Sequence, residues 1–291
     1  MPPATEPLPK QGDIVPGIWT GFLNGLSPEE AVVAFAEKGW LHLEMSSESG
    51  MALLKRGDPE AVGEAFRRHA ADAGVNFPQG HLWLLYDITL HSPEKVLEDL
   101  KPWLDLFLAV GIRAAVLHPG GQALLRGGCA PTLVAEKRNA SLRALGEHLR
   151  GTDLFICLEN MQEAPLAHDL VEIVESSGAP NLGVCLDTGH LHLTGTSQAD
   201  FIRASGDKLR ALHIADNEGD FDAHLFPFGR GTVDWAEVVS ALREAGCSAL
   251  FNFEVPGENR CPLPVRMKKL DYYRSVLPML LDPKKDAAPG S

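Results

Sequence analysis

The sequence predicts an α/β protein folded as a single (β/α)8 barrel, with its active site at the C-terminal ends of the strands. Two observations predict it. Short runs rich in Val, Ile, Leu and Phe alternate with longer segments carrying apolar residues every three or four positions, as buried parallel strands and amphipathic helices do. Eight such runs occur, and eight is the strand number that closes a parallel barrel. A doubly wound open sheet is the alternative, but no Gly-x-Gly-x-x-Gly follows the first strand.

The elements follow in order. IVPGIW (14–19) is the first strand, and SPEEAVVAFAEKG (27–39) the first helix, opened by Ser-Pro and closed by Gly. GWLHLEM (39–45) precedes the Asp-Pro-initiated helix DPEAVGEAFRRHAADAG (58–74), and VNFPQGH (75–81) precedes SPEKVLEDLKPWLDLFLAVG (92–111). RAAVLHPG (113–120) leads into the Gly-rich stretch 117–131, which reads as a long irregular loop at the active-site face. The helix APTLVAEKRNASLRALGEHLR (130–150) comes next. DLFICLEN (153–160), NLGVCLDTGH (181–190) and KLRALHIAD (208–216) are strands five to seven, and DWAEVVSALREAG (234–246) is the helix before SALFNFE (248–254). No internal boundary appears, so residues 13–281 are expected to form the barrel, between a flexible segment 1–12 and a polar, disordered tail 282–291.

At 291 residues the chain fits one barrel of this type, and 45% hydrophobic residues suffice for its core. The formal charge of −13 argues against a nucleic-acid partner, because gripping phosphates needs Lys and Arg. MPPATEPLPK (1–10) lacks the apolar centre of a signal peptide and no run of about 18 apolar residues occurs, so a cytoplasmic protein with no membrane partner is expected. A homo-oligomer is compatible with the sequence, although no exposed apolar stripe defines an interface. The five cysteines show no Cys-x-x-Cys spacing, and Cys157 and Cys185 lie in apolar runs as core residues do.

The strand ends repeat one kind of residue: Glu44, His81, His118, Glu159, Asp187 with His190 three positions on, His213 and Glu254. In a barrel these ends converge on one mouth, where such folds keep their chemistry. The loop after strand seven adds Asp222 and His224, a pair whose spacing lets both side chains reach one ion. Asp216, Asn217, Glu218 and Asp220 read as solvated loop residues, and His42, His69, His91, His148, His168 and His192 as solvated or structural. Imidazoles mixed with carboxylates suit zinc, manganese, cobalt or iron, whereas calcium and magnesium prefer all-oxygen sites. Glu159 and Glu254 would face each other across such an ion, with Asp187 and His213 completing a four-ligand set that leaves positions for substrate oxygens. Arg230, between two glycines, is a candidate contact for an anionic or hydroxyl-rich substrate.

LEN (158–160), CLDTGH (185–190), LHIADN (212–217), DAHLFPFGRGTVDW (222–235) and FNFEV (251–255) together resemble the xylose-isomerase-like TIM-barrel superfamily. That superfamily holds sugar and sugar-phosphate isomerases and epimerases, inosose dehydratases and apurinic endonucleases of the endonuclease IV type. The epimerase branch implies one ion, often manganese or cobalt, held by Glu159, Asp187, His213 and Glu254. The two glutamates would double as an acid/base pair and His190 would orient substrate oxygens. The endonuclease branch implies a trinuclear zinc site on His81, His118, Glu159, Asp187, His190, His213, Asp222, His224 and Glu254. The sequence departs from that branch in GIWTGFLNGL, in LHPGGQALL and in the Gly of CLDTGH. Trp19, Trp40, Trp83 and Phe226 are candidate apolar walls for a sugar ring, and Glu44 a partner for a substrate hydroxyl. The expected activity is therefore isomerisation or epimerisation of a small sugar or sugar-like polyhydroxy carbonyl compound. It would depend on a divalent metal (Mn2+, Zn2+ or Co2+) and proceed through an enediolate. The alternatives are a multi-zinc phosphoester hydrolase and a metal-dependent dehydratase or lyase.

Overall fold

Eight parallel strands close on themselves in chain order: β1 (Pro16–Trp19), β2 (His42–Met45), β3 (Asn76–His81), β4 (Ala114–Leu117), β5 (Phe155–Glu159), β6 (Leu182–Asp187), β7 (Leu209–Ile214) and β8 (Phe251–Phe253). This computed structural model describes residues 14–162, 167–256 and 260–282. The expectations for residues 1–12 and for the tail beyond Asp282 lie outside the described residues. So does that for His168, whose side chain is not described. No described helix is long and apolar enough to cross a membrane.

The helices between the strands are α1 (Pro28–Glu37), α2 (Ser47–Leu54), α3 (Pro59–Asp72), α4 (Pro93–Val110), α5 (Gln122–Arg126), α6 (Pro131–His148), α7 (Ala167–Ser176), α8 (Thr188–Leu193), α9 (Gln198–Ser205), α10 (Trp235–Glu244) and α11 (Leu263–Leu281). The sequence signals act as expected at their starts. Ser27 accepts from the Glu30 amide while the Glu30 carboxylate accepts from the Ser27 amide at 2.8 Å, a reciprocal cap for α1 that contributes about 1 kcal/mol. Asp58 and Ser92 cap α3 and α4 by accepting the Ala61 and Lys95 amides, and Gly111 ends α4 in the left-handed conformation. Two expectations change. The stretch 117–131 is not irregular throughout but carries the short helix α5, and the strand expected over 181–190 stops at Asp187. The Asp187 carboxylate accepts the His190 amide at 2.6 Å and starts α8 there.

Register sets what faces inward. Trp19 pairs with Glu44 and Glu44 with Gln79; Glu159 pairs with Cys185, Asp187 with His213, and His213 with Asn252. Laddered partners share a face, as do residues two apart on one strand. The inward face therefore carries Glu44, Gln79, His81, Glu159, Asp187, His213 and Asn252 as a polar tier at the top. Beneath it lies a separate small-residue cluster of Ala114, Val116, Cys157, Cys185 and Ala211, so both strand cysteines are core residues as expected, and burial pushes the Cys157 thiol up to about 12. The opposite parity, including Ile18, Leu43, Met45, Leu117, Ile156, Leu186, Ile214 and Phe253, packs outward against the helices in the main core. The hydrophobic layer is thus outside the barrel wall, and the space inside its mouth is left to ionisable groups.

Candidate metal centre

At the mouth, three groups of side chains bring potential ligand atoms within 4.8 Å of one another: His81, His118 and Glu159; Glu159, Asp187, His213 and Glu254; and Asp187, His190 and His224. Glu159 and Asp187 are shared, so the groups form one continuous cluster. Asp222 joins it through contacts of 3.1 Å to both His190 Nε2 and His224 Nε2. All nine side chains singled out in the sequence are gathered here.

Hydrogen bonding on the far side of each ring shows how these histidines are presented. His81 Nδ1 donates to the Leu82 carbonyl at 2.9 Å, His190 Nδ1 to that of Asn160 at 3.0 Å, and His224 Nδ1 to that of Glu254 at 2.7 Å. A carbonyl only accepts, so each of these nitrogens carries the proton and a neutral ring turns a bare lone pair inward. Those lone pairs meet carboxylates, which are acceptors too. His190 and His224 both face Asp222 Oδ2, and His81 Nε2 faces Glu159 Oε2 at 3.5 Å. His213 repeats the pattern with its nitrogens exchanged: Nε2 meets Glu44 Oε1 at 3.0 Å, and Nδ1 lies 3.2 Å from Glu159 Oε1 and 3.1 Å from Glu254 Oε2. His81 Nε2, Glu159 Oε2, Asp187 Oδ2 and Asp222 Oδ1 are buried with no hydrogen-bond partner. Acceptors converging without donors are stabilised either by extra protons on the imidazoles or by a cation, and the N/O donor set with ring nitrogens anchored behind is that of a transition-metal site. The residues fit a divalent ion.

The electrostatics agree. Burial alone would raise the Glu159 carboxyl, but the His213 charge and the close approach of His118, His190 and His213 hold it well below its usual range. Glu254 is likewise opposed by burial and brought down to about 2 by His213 and His224. Burial dominates at Asp187, which rises to about 6. On the imidazoles, burial disfavours the charge, yet Asp187, Asp222 and Glu159 carry His190 up to about 12, and Asp222 with Glu254 carries His224 to about 10. His213 rises well above its ordinary value against its own burial, through Glu254, Glu44 and Glu159.

The loops that deliver the remaining residues are locked from behind. Arg138 of α6 donates to the Pro119 and Gly120 carbonyls at 2.9 and 3.0 Å, and Asp87 accepts from the Gly121 amide, which fixes the turn just after His118. After β7, Asp216 and Asn217 are not solvated as expected but buried. The Asp216 carboxylate accepts from the amides of Asn217 and Val233 and from Trp235 Nε1 at 2.9 Å, while Asn217 donates to the Gly189 carbonyl. Their backbone demands explain the difference: a loop that leaves the barrel and returns to α10 needs interior acceptors for its amides. Asp216 and Leu225 exchange two backbone hydrogen bonds of 2.8 Å across this loop. The same loop holds His224 at a φ of 44°, a conformation costly for a residue other than glycine.

Other expected substrate contacts differ in their placement. The Arg230 side chain is 61% exposed and paired with Glu218 at 2.9 Å. Glu44 is fully buried, its two oxygens engaged by His213 and Asn252, so it is closed to a substrate hydroxyl. Trp19 pairs with Glu44 at the end of β1 and is half-buried, its ring lying over Gly21. Trp40 is a core residue donating to the Leu270 carbonyl, Phe226 stacks on Tyr273, and Trp83 is partly exposed beside Tyr86. Sequence reading overlooked Asn160, which clasps Asp187 through both its amide and its carbonyl oxygen. It also overlooked Gln79 and Asn252, although each sits two residues before a mouth residue, and that parity is the signal that reveals them.

The chain belongs to the xylose isomerase-like TIM-barrel family, whose sequence model matches residues 34–280. It is 30% identical over 109 residues to D-psicose 3-epimerase of Enterocloster bolteae, covering 36% of this chain and 34% of that protein. It is 31% identical over 183 residues to a probable endonuclease 4 of Halorhodospira halophila, covering 55% and 60%. The chain thus spans about a third and three-fifths of the length of these two curated relatives. The crystal structure of D-psicose 3-epimerase with D-tagatose from Clostridium cellulolyticum H10 superposes with a TM-score of 0.75 at 15% identity, covering 92% of this chain and 99% of that one; at that identity the likeness is one of fold.

Proposed function

We propose that the protein is a divalent-metal-dependent isomerase or epimerase that moves a proton at a carbon beside the carbonyl of a small sugar. One observation carries the reading. Glu159 and Glu254, from β5 and the end of β8, approach His213 Nδ1 from two directions at 3.2 and 3.1 Å, with Asp187 in the same group. Of these four side chains only Glu254 is open, its side chain 13% exposed while the other three are at 1% or less. A bound manganese, cobalt or zinc ion would polarise the carbonyl and stabilise the enediolate charge. Glu254, held ionised and facing the mouth, takes the proton, Glu159 serves the opposite face, and His190 orients the substrate oxygens. The D-psicose 3-epimerase relative supports a ketose as substrate.

The test is solvent exchange. Metal-loaded protein with a panel of ketoses in D2O is expected to place deuterium on the carbon beside the carbonyl, and Glu254→Gln or Glu159→Gln to reduce incorporation at least about 100-fold. Full activity in either variant refutes the acid/base pair.

A second reading is favoured by the linked groups themselves. Glu159 turns Oε1 to His213 and His190 and Oε2 to His81 and His118, so an ion in the group of His81, His118 and Glu159 together with one in the central group would engage both its oxygens and leave Glu159 no free base. The site would then suit phosphoester hydrolysis, a reading the probable endonuclease 4 relative supports. It predicts nicking of abasic duplex DNA at low salt with zinc supplied, and absence of nicking there excludes it.

A further inference from the structure

Barrel interiors of this fold are ordinarily filled by branched apolar side chains, and a carboxylate there is costly unless each oxygen has a donor. Glu44 occupies such a position on β2, fully buried. Its Oε1 lies 3.0 Å from Nε2 of His213, which arrives from β7 across the interior, and its Oε2 accepts from Asn252 Nδ2 of β8. Its two oxygens are thus divided between these two donors.

From this geometry we infer that Glu44 is a positioning residue of the metal centre: it holds the His213 proton on Nε2 and thereby presents Nδ1, as a lone pair, between Glu159 and Glu254. The inference rests on the proposed metal centre. The opposite tautomer would set a lone pair of Nε2 against the Glu44 carboxylate and a proton on the nitrogen that faces the ion. Asn252 completes the device. Its amide is oriented toward Glu44, so the carboxylate cannot rotate away from His213 without leaving a buried donor unmade. A carboxylate behind a ligating imidazole also increases its basicity toward an ion, and removal of such a partner ordinarily lowers metal affinity about 10- to 100-fold.

Two measurements test it. In zinc-loaded protein labelled with 15N-histidine, the wild-type His213 ring is expected to show its proton on Nε2 and none on Nδ1; a proton on Nδ1 overturns the inference without any variant. Chelator-competition titrations with zinc then compare wild type with Glu44→Gln, which keeps an acceptor without the charge, and Glu44→Leu, which keeps neither. Affinity is expected to fall about 10-fold or more in Glu44→Leu and less in Glu44→Gln. Zinc affinity unchanged in a folded Glu44→Leu protein overturns the inference while leaving the metal centre standing. A wild-type protein that binds no zinc overturns both, which separates the two failures.

Discussion

Lowering the pH should release metal from this protein with a slope that the imidazoles dictate. His213 is protonated well above its ordinary value in the ion-free site, and His190 and His224 are raised to about 12 and about 10. Each must surrender its inward proton before that nitrogen can bind an ion. The sign follows directly: protons and metal compete, so affinity rises with pH as long as pH is below these raised values. An ion in the central group displaces one imidazole proton, from His213, and its affinity should change about 10-fold per pH unit between about pH 6 and pH 8. The Asp187 carboxyl, at about 6, steepens the slope only at the acid end. An ion in the group of Asp187, His190 and His224 displaces two, for about 100-fold per unit. Calorimetric titration of chelator-treated protein with cobalt, in buffers of different ionisation enthalpy, measures both the affinity and the protons released. A pH-independent affinity with no proton release would refute the presentation of these rings as ligands.

Further outcomes follow from the same contacts. Gly231→Ala should loosen the loop that carries Asp222 and His224, because the new methyl would stand 2.1 Å from the Asp216 carboxyl carbon; a loss of about 2 kcal/mol in denaturant unfolding is expected, and an unchanged midpoint would contradict the packing described. Removal of the ion by a chelator should lower the melting temperature by roughly 5 °C relative to protein with metal at about 100 times its Kd, since ligand linkage contributes about 2.7 kcal/mol there. No shift would indicate that the native fold does not select the metal.

Much of this was legible in the chain because the signals were local. Strand runs bounded by Gly and by Ser-Pro or Asp-Pro helix starts located all eight strands and five of the helices, and reading each strand to its end found seven of the nine mouth residues, the Asp222 and His224 pair of the loop after strand seven supplying the other two. Three of the helices left unread, α5, α8 and α11, have physical reasons. Segments α5 and α8 are five and six residues long, too short to show a period, and α8 exists because Asp187 caps it. In α11 apolar and polar residues are mixed around the axis and Pro278 lies within it. What strand ends alone conceal is depth. Glu44 and Glu254 both close a strand, yet Glu44 lies beneath His213 while Glu254 reaches the opening, and only the three-dimensional stagger of the barrel separates the two. Asp216 was misread for a related reason: nothing local distinguishes a solvated aspartate from one receiving amides from residues 17 positions away.

Counting ions tests the central claim most directly. Protein loaded with manganese or zinc, desalted and subjected to elemental analysis, should retain about one ion per chain, still held by His118→Ala and His224→Ala and lost in Asp187→Asn. A protein that retains no ion, or one that keeps its ion when Asp187 is changed, would contradict a centre built on Glu159, Asp187, His213 and Glu254. Three ions lost stepwise in the histidine variants would keep the ligands but transfer the conclusion to phosphoester hydrolysis.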